Sequence, residues 1–476
     1  MKRPIRWFDY ITINIYWFAL TTRSQVLSPL VIPLLVQQFM GEASKGTYVG
    51  NMRLWALMAA VLFQALMGMF SDRSTAKMGR RRPFIIVGTL VELIIFVLIG
   101  LTAGLEGTTG YTFLFLLYSL SMISSNTAHA ATQGLIPDLV PEEKRGRFSG
   151  VKALFELPLP LIFVSFVIGK MISKGNLWGG LITLIVVMLV CMLITLTVKE
   201  EPLISNKEKL DWQPIIRLLL MTGAFTAIIL LCGFIVNQVM NQGLKILGFH
   251  NPVFVMIVGL IGMIIAIWVG VWSSIAIGIG KRIQEQKSFT WWVINRLAFL
   301  TGSTNLAGFM IYFLQEKFVQ YQGEKAAGPA STITMFVGIF ILVCALPSGW
   351  LSDKFGTKKL IIISALLATA GTMVVIFSPT LTMIYVGGIL VGAGIGFFFA
   401  SNWALGTEIV PPSEAGRFLG ISNLAGAGAG AVGAYIGGPI ADQIGYTYLM
   451  GIYAILFLLS ILAILKVKSK ENISIP

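Results

Sequence analysis

The sequence is short of charge. Only 12% of its 476 residues are Asp, Glu, Lys or Arg, about half of what a soluble chain of this length carries. Histidine is scarcer still, with two in the chain, and no HExxH, P-loop, Ser/His/Asp set or CxxC occurs. The constellations of the common enzyme classes are therefore missing, so neither an enzyme nor a cofactor is expected. The three cysteines, Cys191, Cys232 and Cys344, fall inside apolar runs. An odd, scattered set offers no disulfide framework and no metal-ligand spacing. No ring of acids or re-entrant filter marks an ion channel. No small-residue cleavage site follows the basic residues 1–7, so the first apolar run reads as a retained helix.

What the chain has in quantity is apolar length. Hydrophobic residues make up 56% and the mean hydropathy is +0.83, with apolar runs of about 20 residues recurring from end to end. Inside a bilayer the backbone must satisfy its own hydrogen bonds, which selects helices. The pattern predicts an all-α polytopic membrane protein of fourteen spans: 8–36, 52–70, 83–104, 111–135, 148–170, 177–198, 214–236, 252–279, 289–315, 330–351, 358–377, 381–405, 418–440 and 446–465. The net charge is +14, from 35 Lys+Arg against 21 Asp+Glu. With both termini cytoplasmic, and basic residues within three positions of a span end counted with the adjoining loop, 25 of those 35 lie on the cytoplasmic side and 7 outside, while Arg23, Lys152 and Arg296 lie deeper within spans. That bias supports this orientation in a plasma or inner membrane. The base is punctuated between apolar runs and not gathered on one face, so no nucleic-acid partner is expected.

The chain also repeats itself. Asp138-x-Val140-Pro141 and Gly146-Arg147-Phe148-x-Gly150 return 270 residues later as Glu408-x-Val410-Pro411 and Gly416-Arg417-Phe418-x-Gly420. Ser71-Asp72-Arg73 returns at an offset of 281 as Ser352-Asp353-Lys354, and Ile13-Asn14 returns at 281 as Ile294-Asn295. Two repeated six-helix halves are the build of a secondary transporter. The surplus between them holds two further spans. The expected organisation is a six-helix bundle over 1–199, a linker with two extra transmembrane helices over 200–288, and a second six-helix bundle over 289–476.

The loop Gly68-x-x-Ser71-Asp72-Arg73 followed by Gly79-Arg80-Arg81-Arg82 resembles the signature of the major facilitator superfamily, and its return in the second half carries the resemblance over almost the whole chain. The longer stretch through Pro83-Phe84-Ile85, with Gln133-Gly134 and Asp138-Leu139, is similar to the plant-type sucrose carriers and, less closely, to the glycoside–pentoside–hexuronide symporters. The resemblance implies alternating access about a central site, lined by the first and fourth helices of each bundle.

Candidate residues follow. Asp72 and Arg73 end the second span, and a carboxylate there can cap the positive end of the helix beginning near Arg417. Asp353 and the helix beginning near Arg147 form the symmetric set, and Arg80 with Arg81 and Arg82 would tether the loop. These are the gating candidates. Arg23, Glu92, His129 and Glu156 are charges or a histidine inside spans, where an unpaired charge costs several kcal/mol. Arg23 has three readings: an ion pair with Glu156, hydrogen bonds to sugar hydroxyls, or a contact to an anionic substrate. His129 reads as a substrate contact or a helix-packing hydrogen bond, and Glu92 as structural. Glu156 is the proton-coupling candidate. Asn14, Trp17, Asn126, Asn295, Asn305, Asn402 and Trp403 complete the substrate candidates. Amides suit hydroxyl groups and indole rings suit a sugar face, although Asn also bridges packed helices. Gly426, Gly428, Gly430 and Gly433 permit close helix approach.

The expected function is secondary transport of a small solute, a neutral sugar or glycoside moved with protons, by a lipid-embedded monomer. A 14-helix drug or lipophile exporter, a lipid or tetrapyrrole carrier, and a non-transporting membrane receptor or scaffold are the alternatives.

Overall fold

The computed structural model describes residues 6–202, 212–247, 251–280, 287–410 and 415–468. Its elements are helices, α1 (Asp9–Met40), α2 (Lys45–Arg73), α3 (Arg82–Thr102), α4 (Gly107–Leu139), α5 (Glu142–Ser173), α6 (Leu177–Thr195), α7 (Gln213–Leu247) and α8 (Pro252–Ile279). Then come α9 (Lys287–Gly308, continued after a 59° bend by Met310–Lys317), α10 (Ala327–Phe355), α11 (Thr357–Phe377), α12 (Leu381–Ile409), α13 (Ala415–Ile444) and α14 (Tyr446–Leu465). Among the described residues eleven helices are long and apolar enough to cross a membrane, or twelve with the bent pair taken as one span. Helix α4 falls outside that number because serines, threonines, Asn126 and His129 dilute its apolar run. The chain is an integral membrane protein.

Two of these rods carry local defects where proline removes a backbone donor. A π-turn at Leu27–Val31 contains Pro29. In α5 the helix breaks at Leu157, between Glu156 and Pro158, and a π-turn follows at Val164–Ile168. Such turns open the hydrogen-bond ladder by one residue.

The chain separates into two compact units. The first comprises Met1–Met40, Ala59–Ile215 and Tyr321–Met335; the second comprises Gly41–Met58, Ile216–Gln320 and Phe336–Pro476. In the first, α3 packs on α4 and α6, and α1 packs on α6. In the second, α11 pairs with α12, and α9 lies against α13 and α14. Helices α7 (from Ile216) and α8 fall in this second unit. Buried Phe225 of α7 sits against Gly270 of α8 and Gly428 of α13, and Asn241 accepts a 3.1 Å hydrogen bond from Gln443.

The N-terminal part of α2, up to Met58, belongs to the second unit and is anchored there. Asp442 accepts from the Gly46 amide (2.8 Å) and from the Thr47 amide and hydroxyl (2.7 and 2.6 Å). Buried Lys45 reaches Gln315 Oε1 at 3.0 Å and Glu42 at 2.5 Å, over the Tyr312 ring. Gly50 lies directly on the Ala434 carbonyl, an approach that leaves no room for a Cβ.

Candidate functional site

The first unit holds a buried ion pair. Arg23 Nε donates to Glu92 Oε1 at 2.7 Å, with 2% and 0% of the two residues exposed. Ser121 Oγ also donates to Glu92 Oε1, at 2.6 Å, and Arg23 Nη2 reaches Ser121. The partner of Arg23 is thus Glu92, not Glu156. Arg23 lies 14 residues from the start of α1 and Glu92 lies 10 from the start of α3, so at 1.5 Å per residue they differ by only about 6 Å along their helices, a step the guanidinium arm covers. Glu156 pairs instead with Lys152, one helical turn away, at 3.4 Å.

Lys152 links three of the expected residues. Its Nζ lies 3.8 Å from the Trp17 ring centroid, and His129 meets the same indole edge-on at 5.2 Å. His129 also shares a 3.2 Å hydrogen bond with Gln133. Trp17, His129, Lys152 and Glu156 therefore form one cluster from α1, α4 and α5. The asparagines of this unit are occupied by backbone: Asn14 donates to Tyr10 and Phe148 carbonyls (2.9 and 3.3 Å), and Asn126 to Met122 (2.7 Å).

The second unit carries a connected polar chain. Asn295 donates to the Ser460 carbonyl (2.8 Å), Asn402 donates to Asn295 Oδ1 (3.0 Å), and Arg296 Nη1 donates to Asn402 Oδ1 (3.0 Å). Trp292 Nε1 donates to the Asn402 carbonyl at 3.0 Å. The Arg296 guanidinium lies 5.4 Å from the Trp403 ring and 6.0 Å from that of Trp292. Asn305 stands apart from this cluster; it donates to Thr301 and Ala429 carbonyls, against Gly433. Arg296 was not among the expected site residues. Its signal was present, since it is a charge inside an apolar span, beside Asn295 and one turn from Trp292.

The loop between α2 and α3 is held by ions. Asp138 takes Arg81 Nε at 2.8 Å and Arg80 Nε at 3.0 Å, and Arg81 reaches Asp72 at 2.5 Å. Burial pulls the Arg81 pKa down, but Asp138 and Asp72 more than offset this and hold it above its ordinary value. Gly79 turns the chain with φ +105°, a left-handed conformation that favours glycine. Beside it Glu200 accepts from the Arg81 and Arg82 amides (2.9 and 3.3 Å), so a carboxylate from after α6 caps the start of α3. Burial raises the Glu200 pKa, only partly offset by those amides. Arg73 lines a cavity of about 690 Å³ with Gln64, Asp72, Arg81 and Gln133.

The repeat of this loop is simpler. Asp353 is exposed with no ion pair among the described residues, and Lys354 packs over Trp350 and Phe355. Arg147 is exposed, and the Arg417 side chain lies outside the described residues.

The model of the Major Facilitator Superfamily matches residues 15–316 and 292–474. The chain belongs to this superfamily. Among curated relatives of this facilitator, sucrose transport protein SUC3 of Arabidopsis thaliana is 28% identical over 178 residues, covering 31% of this chain and 30% of the relative. Inositol transporter 4 of Arabidopsis thaliana is 28% identical over 161 residues, covering 31% and 27%. The matches thus span less than a third of either relative. Among solved structures, a D-xylose–proton symporter superposes with a TM-score of 0.66 at 16% identity over 98% of this chain and 99% of that one. The nucleoside transporter NupG gives 0.65 at 12%, over 96% and 98%. Fold and relatives are those of transporters, not of enzymes.

Proposed function

We propose that this facilitator moves a sugar, glycoside or related polyol across a plasma or inner membrane, by alternating access and in symport with protons. The observation that carries the reading is the pair of aromatic–polar clusters, Trp17–His129–Lys152–Glu156 and Trp403–Arg296–Asn402–Asn295. An indole face beside fixed hydrogen-bonding groups is what a polyhydroxylated solute requires. The names of the curated relatives, sucrose and inositol transporters, support the same substrate class.

The coupling proton is assigned to Glu156. Its carboxylate sits at the helix break before Pro158, in an ion pair with Lys152 that protonation would release. The architecture is read as six plus two plus six spans, with α4 and α13 crossing the bilayer and both termini cytoplasmic. The working form is a monomer in lipid, without cofactor or nucleic acid. The gating set is Asp72, Arg73, Arg80, Arg147, Asp353 and Arg417.

Proteoliposomes test this directly. Labelled sucrose, myo-inositol and D-xylose are offered with and without an inwardly directed proton gradient. Gradient-driven accumulation of at least one supports the reading. In Glu156→Gln, accumulation should cease while counterflow of the same solute persists. Uptake in that variant that still follows the gradient removes Glu156 from coupling, and absence of any counterflow in the wild type removes the transport reading for these solutes.

A further inference from the structure

Each cation of the first unit's candidate site already has its counter-charge. Arg23 is held by Glu92, and Lys152 by Glu156. Arg296 of the second unit differs. It is buried, with 8% exposure remaining, and its guanidinium meets no carboxylate among the described residues. Asp442, on the packed helix α13, is taken by Gly46 and Thr47. Glu408 on α12 is exposed and forms no ion pair with it. Asn402 fixes one amino group of Arg296, while Nε is buried with no acceptor.

The surroundings hold this cation in place. The Asn402 oxygen that orients it is itself fixed through Asn295 and the Ser460 carbonyl. The rings of Trp292 and Trp403 stabilise a cation through their faces without neutralising it. Trp403 is 40% exposed, and Thr304, two turns along the Arg296 face of α9, is exposed as well. A rigid, uncompensated guanidinium beside an open indole is suited to a ligand that brings both an oxyanion and a body to stack.

We propose that Arg296 reads an anionic group on the transported solute, a carboxylate or a phosphate carried on a sugar-like body that packs against Trp403. This rests on the sugar reading above and narrows it, because a neutral sugar leaves the Arg296 charge unmet.

The test is equilibrium binding to the purified full-length protein in nanodiscs, with labelled glucose, gluconate, glucose 6-phosphate and benzoate. At least one of the two anionic sugars should bind tenfold or more tightly than glucose, and which of them does so separates carboxylate from phosphate. Arg296→Gln should erase that preference. Arg296→Lys, which keeps the charge and loses the fork, should restore only part of it; this variant and the wild-type comparison decide the matter if the Gln variant does not fold. Glucose binding as tightly as both anionic sugars overturns the inference and leaves the sugar reading intact, as does a preference that survives Arg296→Gln. Benzoate binding equal to the anionic sugars and dependent on Arg296 keeps the anion-reading role and discards the sugar body. No binding by any of the three anions overturns the inference.

Discussion

Arg23 and Glu92 illustrate what a single buried pair demands. Removing one partner leaves a bare charge, so Arg23→Gln should destabilise the protein by about 3–5 kcal/mol, seen as a large fall in apparent Tm in detergent. Adding Glu92→Gln should recover much of that loss, because the double change leaves no charge behind. If the double variant is as unstable as the single one, the stranded carboxylate is not what weakens the fold. Glu200 gives a pH-dependent counterpart. Its folded pKa is raised, so the fold favours the protonated acid. Below its unfolded pKa the group is neutral in both states and costs nothing; as pH rises through the folded pKa, ionisation opposes folding. Glu200→Gln keeps an acceptor for the two amides, so it should match wild-type stability in acid and exceed it at neutral pH. A Tm difference that does not grow between about pH 4 and 8 refutes this. Neither partner choice was legible in the sequence, because Arg23 lies 69 residues from Glu92 and Glu200 lies 119 from Arg81. Spacing reveals that a charge is inside a span, but packing between distant helices decides what it meets.

At the scale of the element, Phe225 is one of the side chains that join α7 and α8 to α13, beside the Asn241–Gln443 hydrogen bond. Phe225→Ala opens a cavity between Gly270 and Gly428, and lost packing alone should cost about 2 kcal/mol. A thermal scan showing no loss separates these helices from the stability of the second unit. The N-terminal part of α2 is equally specific. Gly50→Val places a side chain on the Ala434 carbonyl, so a loss of about 1–3 kcal/mol is expected from overpacking, measurable by the same scan. The helices themselves were legible, since apolar runs of span length admit little else. Their defects were partly so. Pro29 and Pro158 announce local disruption, whereas the depth at which a π-turn resets the ladder depends on neighbouring helices. The repeated loop shows the limit of sequence symmetry: Asp72 and Asp353 match in sequence, yet only Asp72 has an ion pair among the described residues.

For the whole molecule, the distribution of basic residues makes a topological claim. Val319 is 87% exposed and Lys77 is exposed in the loop after α2. In intact cells a membrane-impermeant maleimide should label Val319→Cys and spare Lys77→Cys, with the opposite result in inside-out vesicles. Cys191 and Cys232 are buried and should give little background. Labelling of both positions from one side discards the proposed orientation. The repeat and the loop motif made the superfamily readable across the full chain, while the proposed solute site was not readable because Arg296, Asn402 and Trp403 meet from two helices far apart in sequence. The Arg23–Glu92 pair has a further consequence, for how the protein is made. Helix α1 leaves the ribosome with its guanidinium before the matching acid exists. At a synthesis rate of about 5–20 residues per second, Glu92 follows several seconds later. During that interval the α1 guanidinium has no acid to meet in lipid, which costs a few kcal/mol. Stable insertion of α1 is therefore expected to be completed only when α3 arrives, and a chain truncated before α3 should hold α1 less firmly in the bilayer.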